Sequence, residues 1–70
     1  MKYVVIYEPA PEGDWGAYVP DLPGCSSGGD TLEAVRENVK HAIATWIEIE
    51  RERGHSIPRP KSVSEAIEIA

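Results

Sequence analysis

This chain is short of most of the residues from which active sites are built. It holds one cysteine, Cys25, two histidines and no phenylalanine. One thiol can close no intramolecular disulfide and build no cysteine metal cluster. A lone thiol also fits a reducing cytoplasm. His41 and His55 lack the second cysteine or spaced acids that would complete a zinc set. Basic residues are outnumbered, 7 against 12 acids, for a net charge of −5. A free-standing nucleic-acid binder carries the opposite balance, because phosphate neutralisation supplies most of its affinity. Acidity suits solubility or a basic partner. No apolar run approaches the roughly 20 residues of a membrane span. Met1–Glu8 is too short for a signal segment and has no small-residue cleavage site. The expectation is a cytoplasmic protein with no cofactor, no membrane contact and no direct nucleic-acid binding by this chain alone.

What is present fits one small domain over residues 1–70. A chain of 70 residues buries a smaller fraction of its surface than a larger one, so its core is marginal. With disulfide and metal excluded, self-association is the expected stabiliser. Tyr3 to Glu8 is β-branched and aromatic and reads as a strand. Tyr3, Val5 and Tyr7 alternate with Val4 and Ile6, so both faces are apolar. Pro9 to Asp14 reads as a hairpin connection. Trp15 to Val19 is a second strand, ended by Pro20, which has no amide to give a ladder. Asp21 to Gly24 is a turn with Pro23-Gly24 at its point. Cys25 to Gly29 is a short third strand.

A helix follows. Asp30 is the expected N-cap, with Glu33 as its reciprocal capping-box partner; Thr31 is the rival, with Ala34 where the box wants an acid or amide. Leu32, Val35, Val39, Ala42, Ile43, Trp46 and Ile49 recur at helical spacing. Gly54 stops the helix after Arg51 and Arg53, which suit its negative end. His55 to Ser62 is extended around Pro58 and Pro60. The tail from Val63 reads as helix through Val63, Ala66, Ile67 and Ala70, or as strand through Ile67 and Ile69. A final strand returning by a right-handed crossover is the favoured reading. The expected fold is α+β: three antiparallel strands, one long helix and one further strand, with the helix on one sheet face.

The string Pro20-Asp21-Leu22-Pro23-Gly24-Cys25, with Gly29-Asp30-Thr31, Asn38, Ala42-Ile43 and Trp46-Ile47, resembles the HicB-like antitoxin family, also known as UPF0150. The resemblance covers nearly the whole chain. It implies a fold similar to a double-stranded RNA-binding domain lacking its first helix, or to a degraded RNase H fold. It implies a partner too: a small basic toxin of the HicA type, an mRNA interferase whose catalytic histidine the antitoxin blocks. Many members add a C-terminal DNA-binding domain. This chain stops at Ala70, so operator binding is not expected. The family's acid-Ala pair after the capping segment falls on Ala34-Val35 here, with the acid at Glu33 and Arg36 where leucine is common. That departure bears on the cap register.

Other residues invite chemical readings with plainer alternatives. Cys25 could be a reactive thiol, but it has no histidine beside it and reads as a packing residue. His41 lies one helical turn after Glu37, which suits a base with its orienting acid or, more simply, a solvated i,i+4 pair. His55 reads as a loop residue. Asp14, Asp21 and Asp30 could be remnants of a metal nuclease, yet each has a local task in a turn or cap. Gly28-Gly29-Asp30 lacks the lysine of a phosphate cradle. Tyr3, Val5, Tyr7 and Tyr18, taken together on one sheet face, are the candidates for a self-association or partner surface; an RNA-stacking platform there is disfavoured by the charge. The expectation is a non-enzymatic antitoxin, bound to a small basic HicA-type toxin and forming a homodimer or homotetramer. An orphan oligomeric scaffold or a residual nuclease are the alternatives.

Overall fold

The computed structural model describes residues 1–70. Its elements are β1 (Ile6–Pro9), β2 (Trp15–Tyr18), β3 (Ser26–Gly29) and α1 (Leu32–Glu52). The strands form one antiparallel sheet in the order β1-β2-β3. The helix packs across β3 and β2.

Turn chemistry sets the strand boundaries. Ala10 accepts from the Gly13 amide at 3.0 Å and donates to Asp14 at 2.7 Å, with Gly13 at φ +98°. That closes the β1–β2 hairpin around a turn with Pro11 in its favoured second place. Between β2 and β3 two turns follow one another. Leu22 donates to the Val19 oxygen at 3.1 Å, and Cys25 donates to the Leu22 oxygen at 3.0 Å. Pro23 and Gly24 occupy the centre of the second, and Gly24 at φ +79° makes it type II. Val19 donates to the Cys25 oxygen at 3.0 Å, so Val19 turns its backbone toward β3 and, by alternation, Tyr18 turns toward β1. In the Ile6↔Tyr18 register the next bonded position toward the N-terminus would fall on Pro20, which has no amide to donate. The ladder therefore begins at Ile6 rather than at Tyr3.

The helix is capped by Thr31, not by Asp30. Thr31 is extended at φ −135°, and its hydroxyl accepts from the Ala34 amide at 3.0 Å. A capping box from Asp30 to Glu33 would need the helix to start one residue earlier. There the close approach of Gly29 to the backbone of Ala34 and Val35 already fixes where the helix meets the sheet. At the other end Gly54 sits at φ +74°, donating to Arg51 at 3.0 Å, while His55 donates to Glu50 at 2.9 Å. This is a Schellman stop.

The core is small. Ala17, Val19, Leu22, Cys25, Val35 and Val39 are buried, ringed by Tyr3, Val5, Tyr7, Trp15, Leu32, Ala42, Ile43 and Trp46. Leu22, from the loop, is fully enclosed together with Val35 and Val39. Truncating such a leucine to alanine removes about 2–5 kcal/mol, so a loop residue anchors as much as a helix residue does.

The expected fourth strand does not form. Residues 53–70 contain no strand. The chain instead returns past Tyr3, whose hydroxyl donates to the Pro58 oxygen at 2.6 Å. It then reaches Asp21, whose carboxylate engages Lys61 and Ser62. Pro58 and Pro60 cannot donate to a ladder, and the next two amides are committed to Asp21. Val63, Ile67 and Ile69 beyond them are 92%, 68% and 85% exposed.

Candidate functional site

The strand register divides the sheet side chains into two sets. Tyr7 pairs with Ala17, and Ala17 with Ser27; Ala17 is buried, so this set faces the helix. Tyr3, Val5 and Tyr7 all pack against the core, and the Arg36 guanidinium lies 6.0 Å from the centre of the Tyr7 ring. Tyr18 pairs with Ile6 and Ser26, which puts it on the opposite face. The four residues read together from sequence are thus separated: three line the covered side and Tyr18 stands on the open one, 44% exposed. A hairpin's facing residues share a face, so alternation within each strand could not decide this without the register.

The open face is flat at its centre. Ile6, Glu8, Gly16, Tyr18, Ser26 and Gly28 lie on it by alternation from the register. Gly16, Ser26 and Gly28 add almost no relief, so Ile6 and Tyr18 stand out as an apolar pair. Glu8 borders them, and the adjoining hairpin carries Glu12 and Asp14, all exposed. The ion pairs of the chain are Lys40–Glu37 and Arg53–Glu50, and His55 contacts Glu50 as well. Glu8, Glu12 and Asp14 take part in none of them, so their negative charge is free to act outward.

On the helix side, a shallow open groove of about 390 Å³ runs between the start of β3 and α1. Gly24, Cys25 and Ser26 form one wall, and Asn38, His41, Ala42, Thr45, Trp46 and Ile49 form the other. The Trp46 indole donates to the Pro23 oxygen at 2.9 Å, which ties the loop to the helix at the groove's end. Asn38 donates to the Gly28 oxygen at 2.8 Å.

The residues with chemical potential are placed as follows. Cys25 is a free, buried thiol, and burial pushes it above its ordinary range. A thiol held neutral is a poor nucleophile. Glu37 pairs with Lys40 at 3.1 Å rather than with His41. His55 meets Glu50 through Nδ1 at 2.6 Å. No three His, Cys, Asp or Glu side chains converge as a metal cluster.

Asp21 is the residue whose role sequence reasoning missed. It is nearly enclosed, 7% exposed. One oxygen accepts the Lys61 and Ser62 amides at 2.9 Å each, and the other accepts the Ser62 hydroxyl at 2.7 Å. The amide of Ser62, then that of Lys61, then the Ser62 hydroxyl hold its carboxyl below the ordinary range. No local pattern announces a contact across 40 positions.

A three-stranded antiparallel sheet covered on one side by a single helix, with the other side left open, defines a small α+β domain. The chain belongs to the HicB-like antitoxin family. Residues 3–69 match the model described as "HicB_like antitoxin of bacterial toxin-antitoxin system". A UPF0150 protein of Thermoplasma acidophilum is 39% identical over 84% of this chain and 86% of its own length. The antitoxin HicB of Escherichia coli is 31% identical over 91% of this chain but only 46% of its own length. The chain thus spans most of a short relative and under half of that longer one. Among solved structures, the N-terminal domain of the Burkholderia pseudomallei antitoxin HicB superposes with a TM-score of 0.81 at 27% identity, covering 90% of this chain and 74% of that one. No helix here is long and apolar enough to cross a membrane.

Proposed function

We propose that this chain is the antitoxin of a cytoplasmic toxin–antitoxin pair, binding a small basic mRNA interferase of the HicA type and covering its RNA-cleaving site without doing chemistry itself. The observation that carries this reading is the open sheet face. It is flat, bears Ile6 and Tyr18, and is bordered by the unpaired Glu8, Glu12 and Asp14, on a fold shared with HicB antitoxins. A basic RNase presents the complementary charge. Long-range attraction speeds the encounter, while an aromatic anchor in a desolvated centre holds the complex. Residues 1–70 act in this reading as one unit.

The test is capture of the tagged chain from its native lysate, with mass spectrometry of what co-purifies and an RNase assay on it. A stoichiometric small basic protein whose RNA cleavage this chain suppresses is the expected result. Tyr18→Ala should weaken that suppression by roughly tenfold or more, as for an interface anchor. Recovery of this chain alone, with no basic partner and no suppressed RNase, would leave a self-associating module instead.

A further inference from the structure

The tail and the groove fit one another, and neither is filled within a single copy. Beyond Ser62 the chain makes no backbone hydrogen bond to the rest of the molecule. Its large apolar residues share one side when the segment is extended: Val63, Ile67 and Ile69, with Glu65 among them, face opposite Ser64, Ala66, Glu68 and Ala70. A segment with this spacing and an unbonded backbone is able to join a sheet edge.

An open ladder exists at β3. Val19 and Ala17 bond toward β3 through Cys25 and Ser27, so Ser26 and Gly28 direct their backbone groups outward. Asn38 already occupies the Gly28 oxygen. The Ser26 end is left open, and that end forms the wall of the groove. A strand added there would send alternate side chains toward Ala42, Trp46 and Ile49, of which Ile49 is 40% exposed. Strand addition beside an apolar slot takes affinity from the backbone and selectivity from the slot. The other edge is less suitable. Ile57–Pro60 runs beside Met1 and Tyr3, and β1 ends in Pro9.

We propose that the Val63–Ala70 tail of one copy adds as a fourth strand to β3 of a second copy, seating Ile67 and Ile69 in the groove beside Ala42, Trp46 and Ile49, and that the exchange is reciprocal. The tail is delivered by the Asp21 clamp, which holds Lys61 and Ser62 and releases the chain immediately afterwards into solvent. A small core is also the circumstance in which association adds most to stability.

The experiment measures oligomeric state by sedimentation on the full chain across the micromolar range. It uses wild type, Ile67→Lys/Ile69→Lys and Ile49→Lys. All three substituted side chains are exposed in one copy, and circular dichroism verifies that each variant keeps its helix. The expected result is a wild-type dimer that each variant weakens by roughly tenfold or more. Mixing the two variants should restore a heterodimer, because one copy supplies an intact tail and the other an intact groove. A wild-type monomer, or a dimer indifferent to both variants, overturns the exchange. So does a dimer untouched by the tail variant while capture of a basic RNase is lost, which would give the tail to the toxin. Failure of the exchange leaves Tyr18-dependent toxin binding standing, so the two proposals fail separately.

Discussion

Gly28 and Gly29 are neighbours on β3 with opposite tolerances. A methyl group at Gly29 would lie 2.8 Å from the Val35 nitrogen and 3.2 Å from both the carbonyl carbon and the Cβ of Ala34. Two of these are helix backbone atoms, fixed by the first turn of α1, and no flexible side chain can yield. At Gly28 the nearest atom is the Trp15 oxygen at 3.4 Å, an ordinary contact. Gly29→Ala must push the helix start away from the sheet, and overpacking of this kind removes about 1–3 kcal/mol. For a domain of this size each kcal/mol moves Tm by about 4–8 °C, so the expected loss is roughly 4–24 °C. Gly28→Ala meets no such obstacle and loses less chain entropy on folding, a gain of up to about 1 kcal/mol. The assay is thermal unfolding of both variants by far-UV circular dichroism, at two protein concentrations so that association does not masquerade as stability. A Gly29→Ala protein as stable as Gly28→Ala would refute the claim that backbone contact at this residue sets the seat of the helix.

Three further outcomes follow from the geometry. Thr31→Ala should lower stability by about 0.5–2 kcal/mol in urea titrations while Asp30→Ala changes it far less, because only Thr31 caps the helix; equal losses would return the cap to Asp30. The Asp21 carboxyl is held below its ordinary 3.8 by its bonds to Ser62 and Lys61. Its stabilising effect is therefore complete above the unfolded-state value and is lost as pH falls through the lower folded one. The urea midpoint of wild type should drop over that acid range, and Asp21→Asn should lack this component of the drop. Cys25, buried and pushed upward, should react with a thiol reagent at neutral pH only as fast as the protein opens, so that denaturant and reaction rate rise together; rapid labelling of the folded chain would contradict its burial.

Much of the frame was legible in the sequence because local chemistry dictated it. Pro23-Gly24 marked a turn, which the structure places over Leu22–Cys25 rather than Asp21–Gly24; the apolar spacing from Leu32 to Ile49 demanded a helix, and Gly54 was its stop. The string around Leu22 also pointed to the right family. The less legible parts depended on distance. The cap went to Thr31 because helix and sheet meet at Gly29, which neither residue reveals alone. Tyr18 left the company of Tyr7 because register, not alternation, fixes its face. The tail's alternation suggested a fourth strand, but its approach is governed by Asp21, 40 positions away, and by two prolines that give no ladder bonds. Of the candidate surface, the acidic balance was visible from composition; the flat open face formed by Gly16, Ser26 and Gly28, bordered by Glu8, was not.

The Pro20–Cys25 loop joins three parts of the molecule at once: Leu22 fills the core, the Pro23 oxygen holds Trp46, and Asp21 holds the tail. Asp21, Leu22 and Cys25 are buried in these internal tasks, and the Pro20, Pro23 and Gly24 that remain exposed carry no charged or hydrogen-bonding side chain. The most recognisable string in the chain therefore reports the frame and says little about which partner the open face would select. Two chains that agree there can carry unrelated side chains on the open face, and their partners need not be interchangeable. On the docking face proposed above, pairing specificity would reside at Ile6, Glu8, Glu12, Asp14 and Tyr18, of which all but Ile6 are exposed.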